Sequence, residues 1–329
     1  MKNKSRNILF LLLVIFCFQA KGQQLPLFSQ YILNGFILNP AMAGYDGYTS
    51  FNTTARQQWV GLEGAPQTLS ATWQTRLLQR SYKIVNHPVR RSNLLLPSTK
   101  GRVGLGAYVI NDRNAHVART GIQFSYAYHI IMNNHQLSFG LAGKIYQFRI
   151  DDDELTYGDP NDPIISRGLQ SVGYTPDADV GIYLTDTEYF IGASASNLFQ
   201  SAIKIGGASG SNNFRIIRHY WFTGGYKFTP TLKLAIEPHF LFKTTETWIP
   251  QGDFGVRFYY LEDYWIGIAG RTDGSIISTI GFRADGLFIG YAFDYGLSNL
   301  QKFNFGTHEI SVSYKLGSDA RRYRWLRRY

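Results

Sequence analysis

From about residue 49 onward the chain is built of short segments whose side chains alternate between two unlike faces. In residues 120–131, Ile122, Phe124, Tyr126, Tyr128 and Ile130 fall on one face, and Gly121, Gln123, Ser125, Ala127 and His129 on the other. The same sorting recurs where Phe254, Val256, Phe258 and Tyr260 oppose Asp253, Gly255, Arg257 and Tyr259, and where Ile310, Val312, Tyr314 and Leu316 oppose Glu309, Ser311, Ser313 and Lys315. A period of two is the mark of a strand with different environments on its two sides. A soluble sandwich also alternates, but its polar face is bulky and solvated. Here the polar face is mostly small, and the apolar face is rich in Tyr and Phe, as in the wall of a transmembrane β-barrel whose aromatic girdles meet lipid headgroups.

Fourteen such segments can be counted, near 49–59, 66–76, 101–111, 118–131, 135–150, 176–185, 188–196, 214–229, 231–243, 251–260, 262–272, 275–284, 286–296 and 306–317. An even count suits a bacterial single-chain barrel, and about ten residues per strand suit an outer membrane. The fold expected is all-β, a transmembrane antiparallel up-and-down barrel of about 14 strands over 49–317. With both ends periplasmic, short turns fall at 132–134, 185–187, 229–230, 260–262 and 283–286, and the long connections 151–175, 197–213 and 297–305 lie outside. The long, basic 77–100 connection breaks this parity. Composition agrees with a lipid-facing wall: 16% of residues are aromatic and only 17% charged, against roughly 25% charged in soluble domains.

The formal charge of +10 belongs to the chain ends. Nine of the 33 basic residues lie in the first 22 positions (Lys2, Lys4, Arg6, Lys21) or the last nine (Arg321, Arg322, Arg324, Arg327, Arg328), leaving a body of +1. Residues 1–22 read as a secretory signal peptide: a basic start, an apolar run from Ile8 to Phe18, and Ala20-Lys21-Gly22 before a cut at Gln23. Attachment of lipid through Cys17 is the rival, and Phe16 before that cysteine fits it poorly. Cys17 is the single cysteine, so a cleaved chain has no disulfide and no thiolate metal site.

Residues 23–48 precede the barrel. Phe28-Ser29-Gln30-Tyr31 leads to an amphipathic turn that Asn39-Pro40 stops, because proline cannot continue a helix and restricts the residue before it. Ala41-Met42-Ala43-Gly44 follows, then Arg56-Gln57-Gln58-Trp59 and Pro66-Gln67-Thr68 across the first hairpin. With these motifs the sequence resembles the PorP/SprF membrane proteins of the type IX secretion system, from the leader and FSQY, through NPAMAG at 39–44 and RQQW at 56–59, to HEISVSYKL at 308–316. The resemblance covers nearly all of the mature chain. It implies an outer-membrane barrel that helps export or retain a large surface protein, including adhesins used in gliding, with other secretion components as partners. The arginine-rich tail 318–329 departs from that pattern.

Residues 23–48, with Phe28, Gln30, Tyr31, Asn39, Pro40 and Gly44 as markers, are read as a plug or lid in the barrel mouth, or as a contact for partner or cargo. In the first hairpin Arg56 is read as a lumen charge, Trp59 as a girdle aromatic and Pro66 as part of the motif. Inward Lys233, Glu237, His239, Arg257, Asp294 and Glu309 are read as a neutralising polar network, with a proton relay or substrate path as the sharper alternative, because buried charges need partners. The run Asp151-Asp152-Asp153-Glu154, with Asp159 and Asp162, offers oxygen ligands for Ca²⁺ but lacks the known loop spacing and is read as solvated. The tail arginines are assigned to anionic headgroups or a periplasmic partner, and export argues against nucleic acid. No catalytic, cofactor or metal residues are assigned. Gly192-Ala193-Ser194-Ala195-Ser196 misses the serine elbow, and no HExxH or phosphate loop occurs. The expected activity is binding in secretion at the outer membrane; a channel or transporter for small molecules is the alternative, and a barrel hydrolase or acyltransferase the third.

Overall fold

The computed structural model describes residues 27–77, 102–132, 135–150, 173–186, 188–203 and 214–316. The leader, the acidic run at 151–154, the tail arginines and all of the 77–100 connection except Leu77 lie outside the described residues.

Seventeen strands occur in chain order: β1 Thr49–Gln57, β2 Gln67–Arg76, β3 Val103–Asn114, β4 Val117–Met132, β5 His135–Ile150, β6 Gly173–Thr185, β7 Tyr189–Ser196, β8 Ala202–Ile203, β9 Phe214–Arg215, β10 His219–Tyr226, β11 Phe228–Thr231, β12 Leu234–Thr245, β13 Gln251–Tyr260, β14 Tyr264–Arg271, β15 Ser275–Ala284, β16 Leu287–Gly296 and β17 Thr307–Leu316. Among the described residues β8 and β9 pair only with each other, and β10 and β11 are one strand interrupted at Lys227, leaving fourteen staves. Each stave pairs antiparallel with its sequence neighbour, and β17 returns to β1 with Thr49 opposite Leu316 and Gln57 opposite His308. The β10–β12 ladder, from His219 opposite Thr245 to Gly225 opposite His239, completes the ring. The result is a closed fourteen-stranded barrel, and closure removes the unpaired edges that a bilayer could not satisfy.

The alternation in sequence becomes the two surfaces of the wall. Phe124, Leu141, Ile266 and Ile280 face outward and exposed, whereas Gln123, Ser125, Ser138 and Ser311 face inward and buried. Outward aromatics gather near the ends, with Tyr226, Tyr260 and Tyr264 beside the short turns and Phe303 and Phe305 at the opposite end. That is the placement expected where ring dipoles meet headgroups.

The end where β1 begins and β17 finishes carries mostly short turns together with the long connection between β2 and β3; the opposite end carries the longer connections 58–66, 197–218 and 297–306 together with tight turns at 115–116 and 272–274. Several boundaries differ from the sequence expectation by two or three residues, β3 ending at Asn114 and β6 beginning at Gly173 among them, and two shifts change the wall. The stave expected over 214–229 begins at His219, because Phe214 and Arg215 pair with Ala202 and Ile203 instead. The turn expected at Thr229-Pro230 falls at Leu232-Lys233, and β12 starts at Leu234.

Candidate functional site

Residues 27–48 lie against the inward face of the barrel. Two short 3-10 turns, Gly35–Ile37 and Pro40–Met42, shape the segment. Asn39 caps the second turn by accepting from the Ala41 amide at 2.9 Å. Its Nδ2 donates to the Ile182 carbonyl of β6 at 2.9 Å and the Ala193 carbonyl of β7 at 3.3 Å, while Ser194 Oγ donates to Leu38 O at 2.6 Å. Asn-Pro is therefore both a helix stop and a clamp on the wall.

The small residues of the inward face are needed for this approach. A Cβ at Gly140 would collide with the Ala41 amide, and one at Gly104 with the Ala43 carbonyl. Gly44 has φ +63° and turns the chain back beside Thr75 toward β1, a backbone conformation that glycine adopts without steric cost. Phe28 belongs to one buried cluster with Phe36, Met42, Tyr108 and Tyr146, and Tyr31 to another with Leu38, Trp221 and Leu241. Burial among these neighbours pushes the Tyr31 hydroxyl far above its ordinary range, so it stays protonated.

An ion-pair network ties the segment to the wall. Arg56 of β1 donates from Nη1 to Glu309 Oε2 at 2.9 Å and to Ser29 Oγ at 2.7 Å, and from Nη2 to Asp294 Oδ2 at 2.8 Å. Glu309 accepts the backbone amides of Ser29 at 2.7 Å and Gln30 at 2.8 Å, and Ser29 Oγ donates to Asp294 at 2.7 Å. Arg271 reaches Asp294 at 3.4 Å and forks onto Asp253 with two bonds of 2.8 Å. These charges are nearly fully buried, where the low dielectric makes unpaired charge costly. Each carboxylate here is met by a guanidinium and, at Glu309, by the incoming backbone.

The six residues expected to form one network separate. Asp294 and Glu309 join Arg56. Glu237 and Arg257 sit opposite each other on β12 and β13 and meet through the Tyr259 hydroxyl, with both hydrogen bonds at 3.4 Å. His239 lies edge-on to Tyr31 at 5.9 Å. Lys233 falls outside, exposed in the β11–β12 turn, because β12 begins at Leu234, three residues after the start of the expected strand 231–243. Trp59 is exposed at φ +47° in the first hairpin, with its amide donating to Thr307 Oγ1 at 3.3 Å. Pro66 is buried there, and its carbonyl accepts from Gln58 N at 2.9 Å.

Sequence reading missed further anchors. Arg76 donates to Gln136 at 2.8 Å and to the Tyr45 carbonyl at 3.2 Å; His129 bridges Ser138 Oγ at 2.8 Å and the Ala43 carbonyl at 3.0 Å. Lys144 pairs with Asp179 at 2.5 Å. Each occupies an inward parity position in its strand, which is the signal that could have found it.

At the short-turn end the segment leaves a vestibule of about 1020 Å³. Tyr45, Tyr48, Tyr183, Phe190, Trp265 and Phe288 line its walls, and turn residues such as Asp186, Glu188, Glu262 and Asp285 line its rim. Among the described residues its lining carries seven carboxylates and four cationic side chains. Lys315 reaches Asp46 at 2.9 Å, Lys227 pairs with Glu262 at 3.2 Å, and Arg283 with Asp263 at 2.8 Å.

A closed, all-antiparallel barrel with a lipid-compatible exterior and a polar interior belongs to the outer-membrane class. The family described as "Type IX secretion system membrane protein PorP/SprF" matches residues 20–314, and the chain belongs to it. Family and fold together support a type IX secretion component of the outer membrane. Among solved structures, the toluene transporter TbuX of Ralstonia pickettii is similar at 10% identity, over 85% of this chain and 92% of that one, with a TM-score of 0.42. Omp33 of Acinetobacter baumannii is similar at 8% identity, over 82% of this chain and 100% of that one, also at 0.42. Comparison with curated proteins finds no match.

Proposed function

We propose that this chain is a non-catalytic docking component of the type IX machinery, supporting export or surface attachment of a large secreted protein such as a gliding adhesin. The observation that carries this reading is the occupation of the lumen by residues 27–48, held by Glu309, Arg56 and Asp294. A barrel whose interior is clamped to its own N-terminal segment suits binding at its rims better than free conduction, so 27–48 is assigned as the plug. The long connections 151–175 and 197–213 are assigned to cargo, and the 77–100 connection or the tail arginines to periplasmic components. Delivery follows Sec-type export with cleavage before Gln23, and outer-membrane lipid surrounds the wall.

The test is deletion of the gene, with surface display and co-purifying proteins measured in native outer membranes. Loss of a surface adhesin, and capture of secretion components with the tagged chain, is the expected result. Normal adhesins and secreted profile with lost uptake of a solute would overturn it in favour of a small-molecule channel. The 1020 Å³ vestibule is the observation that favours that second reading.

A further inference from the structure

Two buried charges that line the vestibule face each other without forming an ion pair. Glu237 of β12 lies directly opposite Arg257 of β13, and both border the cavity. Arg257 is 2% exposed and Glu237 9%, yet among the described residues neither makes an ion pair, whereas the buried Arg56, Lys144 and Arg271 all meet carboxylates at 3.4 Å or less. Their link is the Tyr259 hydroxyl, which accepts from Arg257 Nη1 and donates to Glu237 Oε1, both at 3.4 Å. Among the described residues Arg257 Nε, Trp265 Nε1 and the Tyr31 hydroxyl, all on side chains that line the cavity, have no hydrogen-bond partner. We propose that this part of the vestibule binds a free amino acid with an aromatic or large apolar side chain, its carboxylate taken by Arg257 and its ammonium by Glu237.

Desolvation selects the chemistry. A buried charge without a hydrogen-bonded counter-charge is costly. A simple anion at Arg257 would be repelled by Glu237, and a simple cation at Glu237 by Arg257, so a ligand that carries both signs satisfies both groups at once. Residues opposite each other on antiparallel strands have Cα atoms about 4.5–5.5 Å apart, which suits two charges borne on one carbon. A dipeptide holds its charges about 3.3 Å further apart. The single hydrogen bond of Arg257 uses Nη1, which leaves the Nε side of the guanidinium for a two-bond contact with a carboxylate. Trp265 lies opposite Tyr259 on β14, and Tyr31 is edge-on to His239, two residues from Glu237 on the same face of β12; both supply further donors to a carboxylate. Tyr183 and Phe190 stack at 6.2 Å on β6 and β7, and Trp265 and Phe288 line the cavity from β14 and β16, so an aromatic side chain finds ring faces to pack against. A cavity of about 1020 Å³ holds such a ligand with room for water. Binding here requires neither cargo docking at the rims nor passage through the barrel, and it stands whichever of those readings holds.

Calorimetric titration of the purified full-length barrel with phenylalanine tests this. One saturable site is expected, weakened about tenfold or more for N-acetylphenylalanine, which lacks the ammonium, and for phenylalanine amide, which lacks the carboxylate, since each loses a hydrogen-bonded charge. The dipeptide Phe-Gly is expected to bind more weakly than phenylalanine. Absence of saturable binding, or equal binding of either analogue, would overturn the proposal, and tighter binding of Phe-Gly would assign the site to peptides instead. Tyr31→Phe and Trp265→Phe separate binding from folding. Each removes a buried polar atom that has no partner, so the denaturant midpoint should stay level or rise while affinity for phenylalanine falls severalfold. Glu237→Gln should lose the preference for phenylalanine over its N-acetyl form. Wild-type affinity in both of the first two variants, or an unchanged preference in the third, would also overturn it.

Discussion

At the scale of single residues, Arg56 carries the most. Among the described residues it is the one guanidinium that touches Ser29, Asp294 and Glu309 together. Arg56→Met should destabilise the barrel by about 3–5 kcal/mol, the cost of leaving a buried partner charge unmatched, read as a lower midpoint in denaturant. Asp294 keeps Arg271 at 3.4 Å, so the loss falls mainly on Glu309. The double variant Arg56→Met/Glu309→Gln should therefore recover part of it, and strictly additive losses would show the two residues to be independent. Arg56 and Glu309 were legible as inward charges from their parity, and so was each carboxylate taken alone. Their convergence was not, since 253 residues separate them and only strand pairing across the β1–β17 seam sets Arg56 opposite Glu309. Lys233 shows the limit of parity, which has no meaning once the backbone leaves the strand.

At the scale of elements, the N-terminal segment and the strands explain each other. The inward face is poor in bulk because a second backbone passes over it, and Gly140 and Gly104 mark the closest approaches. Gly140→Val should displace residues 39–43 at a cost of about 1–3 kcal/mol for overpacking, measured as faster proteolysis within 27–48 of the folded barrel. Unchanged protection would mean that the wall yields instead. On the outer surface, Ile268 lies mid-strand and Tyr264 begins the same strand, both exposed. Ile268→Arg should cost about 2–4 kcal/mol and Tyr264→Arg about 0–1 kcal/mol when folding into liposomes is measured, because the penalty for charge falls toward the interface. Equal costs would place the bilayer elsewhere on the wall.

At the scale of the whole molecule, the lumen is shared between a clamped segment and an open vestibule. Purified wild-type barrel should conduct poorly in planar bilayers, and deletion of residues 27–44 should raise single-channel conductance severalfold. High conductance of the wild type would favour the channel reading over docking. By itself the sequence determined the strand count, the two faces of the wall and the family, because each is written in local alternation or in contiguous motifs such as NPAMAG. Only the tertiary structure decided which inward charges meet, that Asn39 clamps β6 and β7, and that the wall and residues 27–48 leave an aromatic vestibule. Those depend on closure of the ring, which brings together residues hundreds of positions apart, and a period of two carries no information about which strand lies across the lumen.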